Sequence, residues 1–512
     1  MSFPGKILLT LAGCIGIYAV TAQPASTGAK RDKTLIIFFD GLRPDYITAD
    51  VMPHLYAFKQ KGCYGTQHHS VFPTVTRVNS ASYSTGSYPA THGLMGNTVF
   101  FPQVNKVKGL DTGEAEELNK INKATGGHLL TTTSLGEILQ KAGEKMMVFS
   151  SGSTGQALLQ NHTVSGGAIL NPGMILPAAM EAEVVSAVGP VPAYTKPNTA
   201  RHAWVANAFM KYGMAPDGPL VSAIWFSDPD GAAHSDGIGS PLALQALGIV
   251  DNEFGRIIDS LEHSGLLPHY NILISTDHGF VTYAGKEDVT SFLIKEGLKQ
   301  SKESEDVIVS EGAVYVKDHD TAVIRAIVQR LQAQEWVGAL YTKGQQPGSM
   351  QGTVPGTLSF ESVHWNHARS GDILVAPNWD DRKNSAGYAG TSTSRGVAGH
   401  GGCSSYEIHI PFIVSGPAFK QVATSDLPCS NVDIVPTVLA LYHLQAPASM
   451  DGRVLLELFR NTKGTTVPKV RVSTVEVKAA YTGGTYKLSL ETSSVGKYRY
   501  VNFARATRVA NQ

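Results

Sequence analysis

The chain has 512 residues, 42% of them hydrophobic, with 42 Lys+Arg balanced by 42 Asp+Glu. That is enough apolar sequence for one large core with smaller appendages. Balanced charge, with no basic run beyond scattered pairs, excludes nucleic-acid or anionic-membrane binding driven by net charge. It leaves open a small polar substrate held by local site charges.

From the N-terminus, Lys6 precedes an apolar stretch, Ile7–Val20, and small residues at Val20-Thr21-Ala22 come just before Gln23. This is the pattern of a signal peptide (residues 1–22) cleaved after Ala22, and it places the protein in the periplasm or outside the cell. Leu11-Ala12-Gly13-Cys14 also resembles a bacterial lipoprotein box. Apolar sequence continues past Cys14, so ordinary export is favoured over lipid anchoring. No later stretch is long and apolar enough to span a bilayer. Export leaves Cys63, Cys403 and Cys429, an odd set with Cys403–Cys429 as the guessed disulfide. Without a C-x-x-C pair, any metal must rest on His, Asp and Glu.

Short apolar runs then recur with helical segments between them. Leu35–Phe39, Met147–Phe149, Leu220–Phe226, Ile272–Ile274 and Ile410–Val414 read as buried strands. Leu247, Val250, Phe254, Ile257 and Leu261 step by three and four, a helix face that packs on a sheet. Ser134–Lys141 and Asp433–Leu441 also read as helices. The alternation predicts an α/β fold with a mostly parallel central sheet flanked by helices, whose core spans residues 23–280 and 400–464. Residues 281–399 carry their own strands (Val307–Val316, Asp372–Ala376) and a helix (Thr321–Gln334), and read as an inserted α+β lobe. Residues 465–512 alternate apolar and polar and read as a small C-terminal β appendage.

Function in such sheets sits beyond the carboxyl ends of the strands. Leu35–Phe39 ends in Asp40-Gly41, and Leu220–Phe226 leads to "SDPDGAAHSDG", where Asp230 and His234 are four apart. Ile272–Ile274 leads to Asp277-His278-Gly279, and His400 lies among glycines in "GVAGHGGCSSY" before Ile410. An Asp after a strand is most often a turn residue, and a lone His in a Gly-rich loop is usually solvated. Four such features at one end of one sheet are harder to dismiss. Three carboxylates and three imidazoles are about what two zinc-like ions need when each keeps open positions. "FPTVTRVNSASYSTGSYPATHGLMGN" supplies hydroxyls at Thr74 and Thr76, ahead of a segment that could open a helix suited to an anion. An N-cap threonine is the bland reading. A metal on the hydroxyl would make it a nucleophile at neutral pH.

From about Leu35 to Leu455 the chain resembles the alkaline-phosphatase superfamily, and most closely its nucleotide pyrophosphatase/phosphodiesterase branch. The resemblance rests on "FFDGLRPDYI", "FPTVTRVNSASYSTGSYPATHG", "PDGAAHSDG", "ISTDHG", "GHGG", "DIVPTVLAL" and "MDGRVL". It implies that Asp40, Thr76, Asp277 and His278 hold one zinc and Asp230, His234 and His400 the other. It makes Thr76, rather than Thr74, the catalytic nucleophile and places Asn97 on a phosphoryl oxygen. The activity implied is hydrolysis of a nucleotide-like phosphate diester through a phospho-threonine intermediate. Arg77 departs from the family pattern; it could touch a phosphate or point to solvent, and solvent is the favoured reading. The Lys-x-Arg clamp that related monoesterases carry before "GAIL" is Val164-Ser165-Gly166 here, which tilts the reading to diesters. A phosphomonoesterase or phosphonate hydrolase on the same scaffold is the alternative. A two-His-one-carboxylate iron site at Asp230, His234 and His400, and a metal-stabilised binding protein with a vestigial site, are further ones. Tyr194, Tyr388 and Trp365 are candidates to stack on a base, although an aromatic is more often packing.

Overall fold

The structure is a computed structural model that describes residues 31–461 and 469–510. The proposed signal peptide lies outside those residues. The main sheet is built from β1 (Lys33–Phe39), β2 (Cys63–His69), β3 (Met146–Ser150), β4 (Ala168–Asn171), β5 (Met174–Leu176), β6 (Val221–Phe226), β7 (Tyr270–Ser275), β8 (His409–Ser415), β9 (Ala423–Ser425) and β10 (Cys429–Ser430). Their order is β9-β2-β8-β7-β1-β6-β3-β4-β5, with β10 also on β2. The pairs β1/β6, β1/β7, β3/β6, β3/β4, β2/β9 and β2/β10 are parallel. β8 runs against both β2 and β7, and β5 against β4. The central strands β1, β6 and β7 are buried along almost their whole length because helices cover both faces.

One of those helices is α3 (Pro241–His263), which follows α1 (Thr76–Thr85) and α2 (Asp230–Asp236) in the chain. Ser240 caps α3 by accepting from the Ala243 amide, and Pro241 starts it where no N–H is needed. Its Leu247, Val250, Phe254, Ile257 and Leu261 are buried in one cluster with Leu35, Ile37, Phe39, Ile272 and Ile274 of β1 and β7. Each such side chain contributes roughly 1.5–3 kcal/mol of transfer free energy, so this face fixes the helix on the sheet.

Residues 281–399 form two further sheets. A five-stranded one runs Val307–Ser310, Ala313–Val316, Ile373–Pro377, Val337–Thr342, Leu358–Ser359. A four-stranded one joins Trp379–Lys383, Ala389–Arg395, Val281–Gly285 and Ala398–Gly399. The segment Val307–Val316, expected as one strand, is a hairpin that reverses at Glu311-Gly312, where Glu311 has φ of 59°. Residues 470–510 form a three-stranded antiparallel sheet, Val470–Tyr481, Gly484–Val495 and Tyr498–Ala510. It is tied to the rest by Trp379 Nε1, which donates to the Ala504 carbonyl, and by Tyr500, whose hydroxyl donates to Asp433.

The guessed Cys403–Cys429 disulfide is corrected, since all three described cysteines are free and buried. Cys403 Sγ faces the Ala504 carbonyl at 3.6 Å, whereas Cys429 Sγ lies 3.1 Å from His68 Nδ1. The two thiols serve different seams.

Candidate active site

Register decides what the strands deliver. β1, β6 and β7 are adjacent and parallel, so Phe39, Phe226 and Ser275 finish at the same edge and their following residues meet there. Asp40 accepts from Trp225 Nε1 through Oδ2 at 3.0 Å, which leaves Oδ1 buried with no donor. Gly41 turns the chain at φ +72°, and a Cβ there would come within 3.0 Å of the Phe280 ring. Its amide donates to Asp277 Oδ1 at 3.0 Å, and Asp277 Oδ2 is likewise buried without a donor. The Asp230 amide donates to the Asp40 carbonyl, which brings the first turn of α2 onto the site, and Asp230 Oδ1 is the third orphaned oxygen.

The imidazoles are oriented from behind. Nδ1 of His278 bonds the Gly279 carbonyl at 3.0 Å, that of His234 the Ala398 carbonyl at 2.9 Å, and that of His400 the Thr74 carbonyl at 2.8 Å. A carbonyl only accepts, so each Nδ1 carries the proton and each Nε2 is the nitrogen left to act as a ligand. His278 Nε2 lies 3.0 Å from Asp277 Oδ2, 3.6 Å from Asp40 Oδ1 and 3.2 Å from Thr76 Oγ1. His234 Nε2 and His400 Nε2 are each 3.3 Å from Asp230 Oδ1.

Two sets of donor atoms within 4.8 Å of one another follow, Asp40/Asp277/His278 and Asp230/His278/His400. The division differs from the expected one in that His278 falls in both sets. It has a single free nitrogen, closest to Asp277, and belongs with the first set. That leaves His234, within reach of Asp230, to complete the second. Three unpaired carboxylate oxygens against three unprotonated nitrogens is a donor set that fits two divalent cations.

The same crowding governs the site's basicity. Burial, then Asp277 and Asp230, push the Asp40 carboxyl well above the usual range. Burial works against ionised Asp230, but His234 and His400 outweigh it and hold this carboxyl well below the usual range. Burial opposes charge on His278 and His234 too, yet Asp277 and Asp230 respectively raise them. Burial, then the neighbouring His278, lowers His400 to about 4.

Thr76 and Thr74 separate cleanly. Thr74 Oγ1 donates to the Gly402 carbonyl and accepts from the Gly401 amide, which holds the glycine loop that carries His400. Thr76 is the first residue of α1, with its hydroxyl on the site side next to His278. Asn97 Oδ1 accepts from the Arg77 amide at 2.9 Å, so its Nδ2 is the end left to donate. The Asn97 amide in turn donates to Glu311 at 2.6 Å, so the turn of the Val307–Val316 hairpin supports this residue.

Beside Thr76, Asp40 and Asp230 opens a cavity of about 260 Å³ that is also lined by Arg77, Arg201, Tyr194 and Gln156. Arg77 was expected in solvent, and its presence here is a correction: Gly113 leaves space for its guanidinium. Of the aromatic candidates only Tyr194 reaches this cavity. Trp365 is fully buried and donates to the Met95 carbonyl, and Tyr388 packs edge-on to Tyr46 at 5.0 Å. Sequence reasoning missed Trp225, Gln156 and Arg201. "SGSTGQ" directly follows β3, so the same strand-end reasoning would have found Gln156. A larger cavity, about 840 Å³, lies at the opposite end of the sheet by Tyr270 and Ser415, away from these groups. No helix among the described residues is long and apolar enough to cross a membrane.

Comparison with known proteins bears on the family and the fold. Residues 34–401 match the type I phosphodiesterase/nucleotide pyrophosphatase family. Mouse ectonucleotide pyrophosphatase/phosphodiesterase family member 3 is 25% identical over 253 residues, 48% of this chain and 24% of the relative. A bis(5'-adenosyl)-triphosphatase of Xenopus laevis is 24% identical over 259 residues, 49% of this chain and 48% of its own. The chain thus spans about a quarter to a half of the length of these relatives. Murine ectonucleotide pyrophosphatase/phosphodiesterase 5 shares the fold at a TM-score of 0.59 and 18% identity, covering 83% of this chain and 100% of that one. An inactive form of that protein, solved in complex with AMP, gives a TM-score of 0.58 at 19% identity, covering 81% of this chain and 96% of that one.

Proposed function

This chain belongs to the type I phosphodiesterase/nucleotide pyrophosphatase family, and from that premise we propose that it is an exported two-zinc hydrolase of nucleotide-like phosphate diesters. The observation that carries the reading is the set of three donor-less carboxylate oxygens facing three imidazole Nε2 atoms, with Thr76 Oγ1 3.2 Å from one of them. Asp40, Thr76, Asp277 and His278 would hold one zinc, and Asp230, His234 and His400 the other. Bound there, the pair would lower the pKa of the Thr76 hydroxyl and of a water and neutralise charge on the phosphoryl oxygens.

The chain's own groups supply the rest. Thr76 Oγ1 attacks phosphorus in line, the P–O bond to the leaving group breaks, and a phospho-threonine forms. The Asn97 Nδ2 donors stabilise charge on an equatorial oxygen. Water entering from the Asp230, His234 and His400 side then cleaves the phospho-threonine and restores the hydroxyl. Trp225, Gly41 and the three carbonyls behind the imidazoles keep the ligands from turning away. Residues 23–280 and 400–464 would form the catalytic core, 281–399 the inserted lobe and 465–512 the C-terminal appendage.

Zinc content and rates on bis-p-nitrophenyl phosphate and p-nitrophenyl phosphate test the proposal together. Two zinc equivalents and faster diester hydrolysis are expected. A strong monoester preference would instead favour the phosphomonoesterase reading, and a single iron would favour the two-His-one-carboxylate site. Export is checked by the N-terminus of the mature protein, which should be Gln23.

A further inference from the structure

Two arginines share the Thr76 cavity, and nothing in the proposed reaction of a singly charged diester requires both. Neither is in an ion pair with a carboxylate among the described residues. Arg77 Nε is buried with no acceptor. The nearby acid Glu311 feels the Arg77 charge, but its Oε2 accepts from the Asn97 and Thr98 amides. Asp111 accepts from the Gly113 amide through Oδ1 at 2.8 Å. Arg201 donates through Nε to the Pro192 carbonyl at 3.1 Å, and its guanidinium sits 5.6 Å from the Tyr194 ring centroid. Its remaining N–H groups have no protein acceptor among the described residues. Two guanidinium groups that share a polar cavity repel each other, and a buried donor without an acceptor costs stability. An anion that both guanidinium groups reach would offset their repulsion.

We propose that Arg77 and Arg201 form an anion subsite beside Thr76 that takes one negative charge more than a simple diester carries. This inference rests on the phosphodiesterase reading and deepens it. The extra charge sits either on a second phosphate joined to the reacting one, as in a phosphoanhydride, or on the reacting phosphoryl itself, as in a monoester dianion. Both present oxygens to planar guanidinium donors in the same way. Only with a monoester dianion would the subsite take over the task of the absent Lys-x-Arg clamp, from a different part of the chain. It accounts for an arginine directly after the nucleophile.

The test compares kcat/KM of zinc-loaded wild type, R77A, R77K and R201Q on the p-nitrophenyl ester of thymidine 5'-monophosphate, on ATP and on p-nitrophenyl phosphate. R77A is expected to lower the ATP-to-diester ratio about 30-fold, and R77K to recover part of it. If instead the monoester-to-diester ratio falls and the ATP ratio holds, the subsite stands and its charge lies on the reacting phosphoryl. R201Q, a variant on a different helix, should shift the same ratio as R77A. Orthophosphate binding by calorimetry, in T76A against T76A/R77A, provides a readout without turnover, and affinity should fall at least about tenfold. Unchanged ratios in folded R77A and R201Q, with unchanged phosphate affinity, would overturn the subsite. Lost phosphate affinity in a protein that hydrolyses none of the three substrates would keep the subsite and sink the phosphodiesterase reading instead.

Discussion

Two sets of histidines in this fold do opposite things. At His68 and His69 of β2, and at His92 at the end of the short helix Pro89–His92, the ring nitrogens are consumed by the protein. His68 is bonded to Cys429 on one side and to Ser275 and Asn431 on the other. His69 is bonded to the Cys429 carbonyl and to Asn502, and His92 to Ser82 and the Leu94 amide. At the carboxyl edge of the sheet, His278, His234 and His400 have one nitrogen satisfied and the other aimed at a carboxylate. Burial pushes His68 and His92 down to about 3 and His69 to about 4, while carboxylates raise His278 and His234. Burial alone therefore does not mark a functional histidine. What marks it is a nitrogen facing a carboxylate oxygen that has no donor of its own.

The comparison can be broken most forcefully at the nucleophile. T76A should lose at least about a thousandfold in kcat on bis-p-nitrophenyl phosphate while metal analysis still finds both zinc ions. Near-normal turnover would mean that the edge cluster serves no reaction at Thr76. Next in size, N97A should lose roughly a hundredfold in kcat with little change in metal content, as expected for loss of one oxyanion donor.

The sharpest test exchanges one histidine from each set. H234A is expected to lose one zinc equivalent at an unaltered fold, whereas H69Q keeps both ions and lowers Tm by a few degrees. If H69Q also lost zinc, the distinction drawn from ring-nitrogen partners would be wrong. W225F, which removes the donor to Asp40 Oδ2, should weaken metal affinity about tenfold through the ligand's orientation.

The smallest effect is on stability. His68, His69, His92 and His364 have folded-state pKa values of about 3 to 4 against an ordinary 6.5. Below pH 6.5 the unfolded chain binds protons that the folded one refuses, so their stability contribution is complete above that value. It drains away as pH falls toward 4. Calorimetry should show Tm falling by roughly 10 °C between pH 7 and pH 4. A flat Tm over that range would mean these rings are not held neutral.

The strands and helices that position the site were legible because their signals are local. Leu35–Phe39 and Ile272–Ile274 are continuous apolar runs, and the α3 face repeats at helical spacing. The hairpin inside Val307–Val316 was hidden because Glu311-Gly312 is only a brief interruption in an otherwise strand-like run. Arg77 was misplaced for a different reason. A cation next to a helix start is normally solvated, and only the glycine at 113, thirty-six positions away, leaves it room beside the cavity.

By itself the sequence determined which residues end up at the edge of the sheet. An acid or imidazole that ends an apolar run must emerge where the strand does, whatever the rest of the chain does. Tertiary structure alone decided which of those groups face each other, since parallel register aligns strands separated by more than two hundred residues. It also decided which nitrogen of His234 and His400 is free, because that depends on the remote Ala398 and Thr74 carbonyls, whereas for His278 the carbonyl is that of the next residue. Hydrogen-bond partners are short-ranged in space and unrestricted in sequence, so no local pattern could have carried that information.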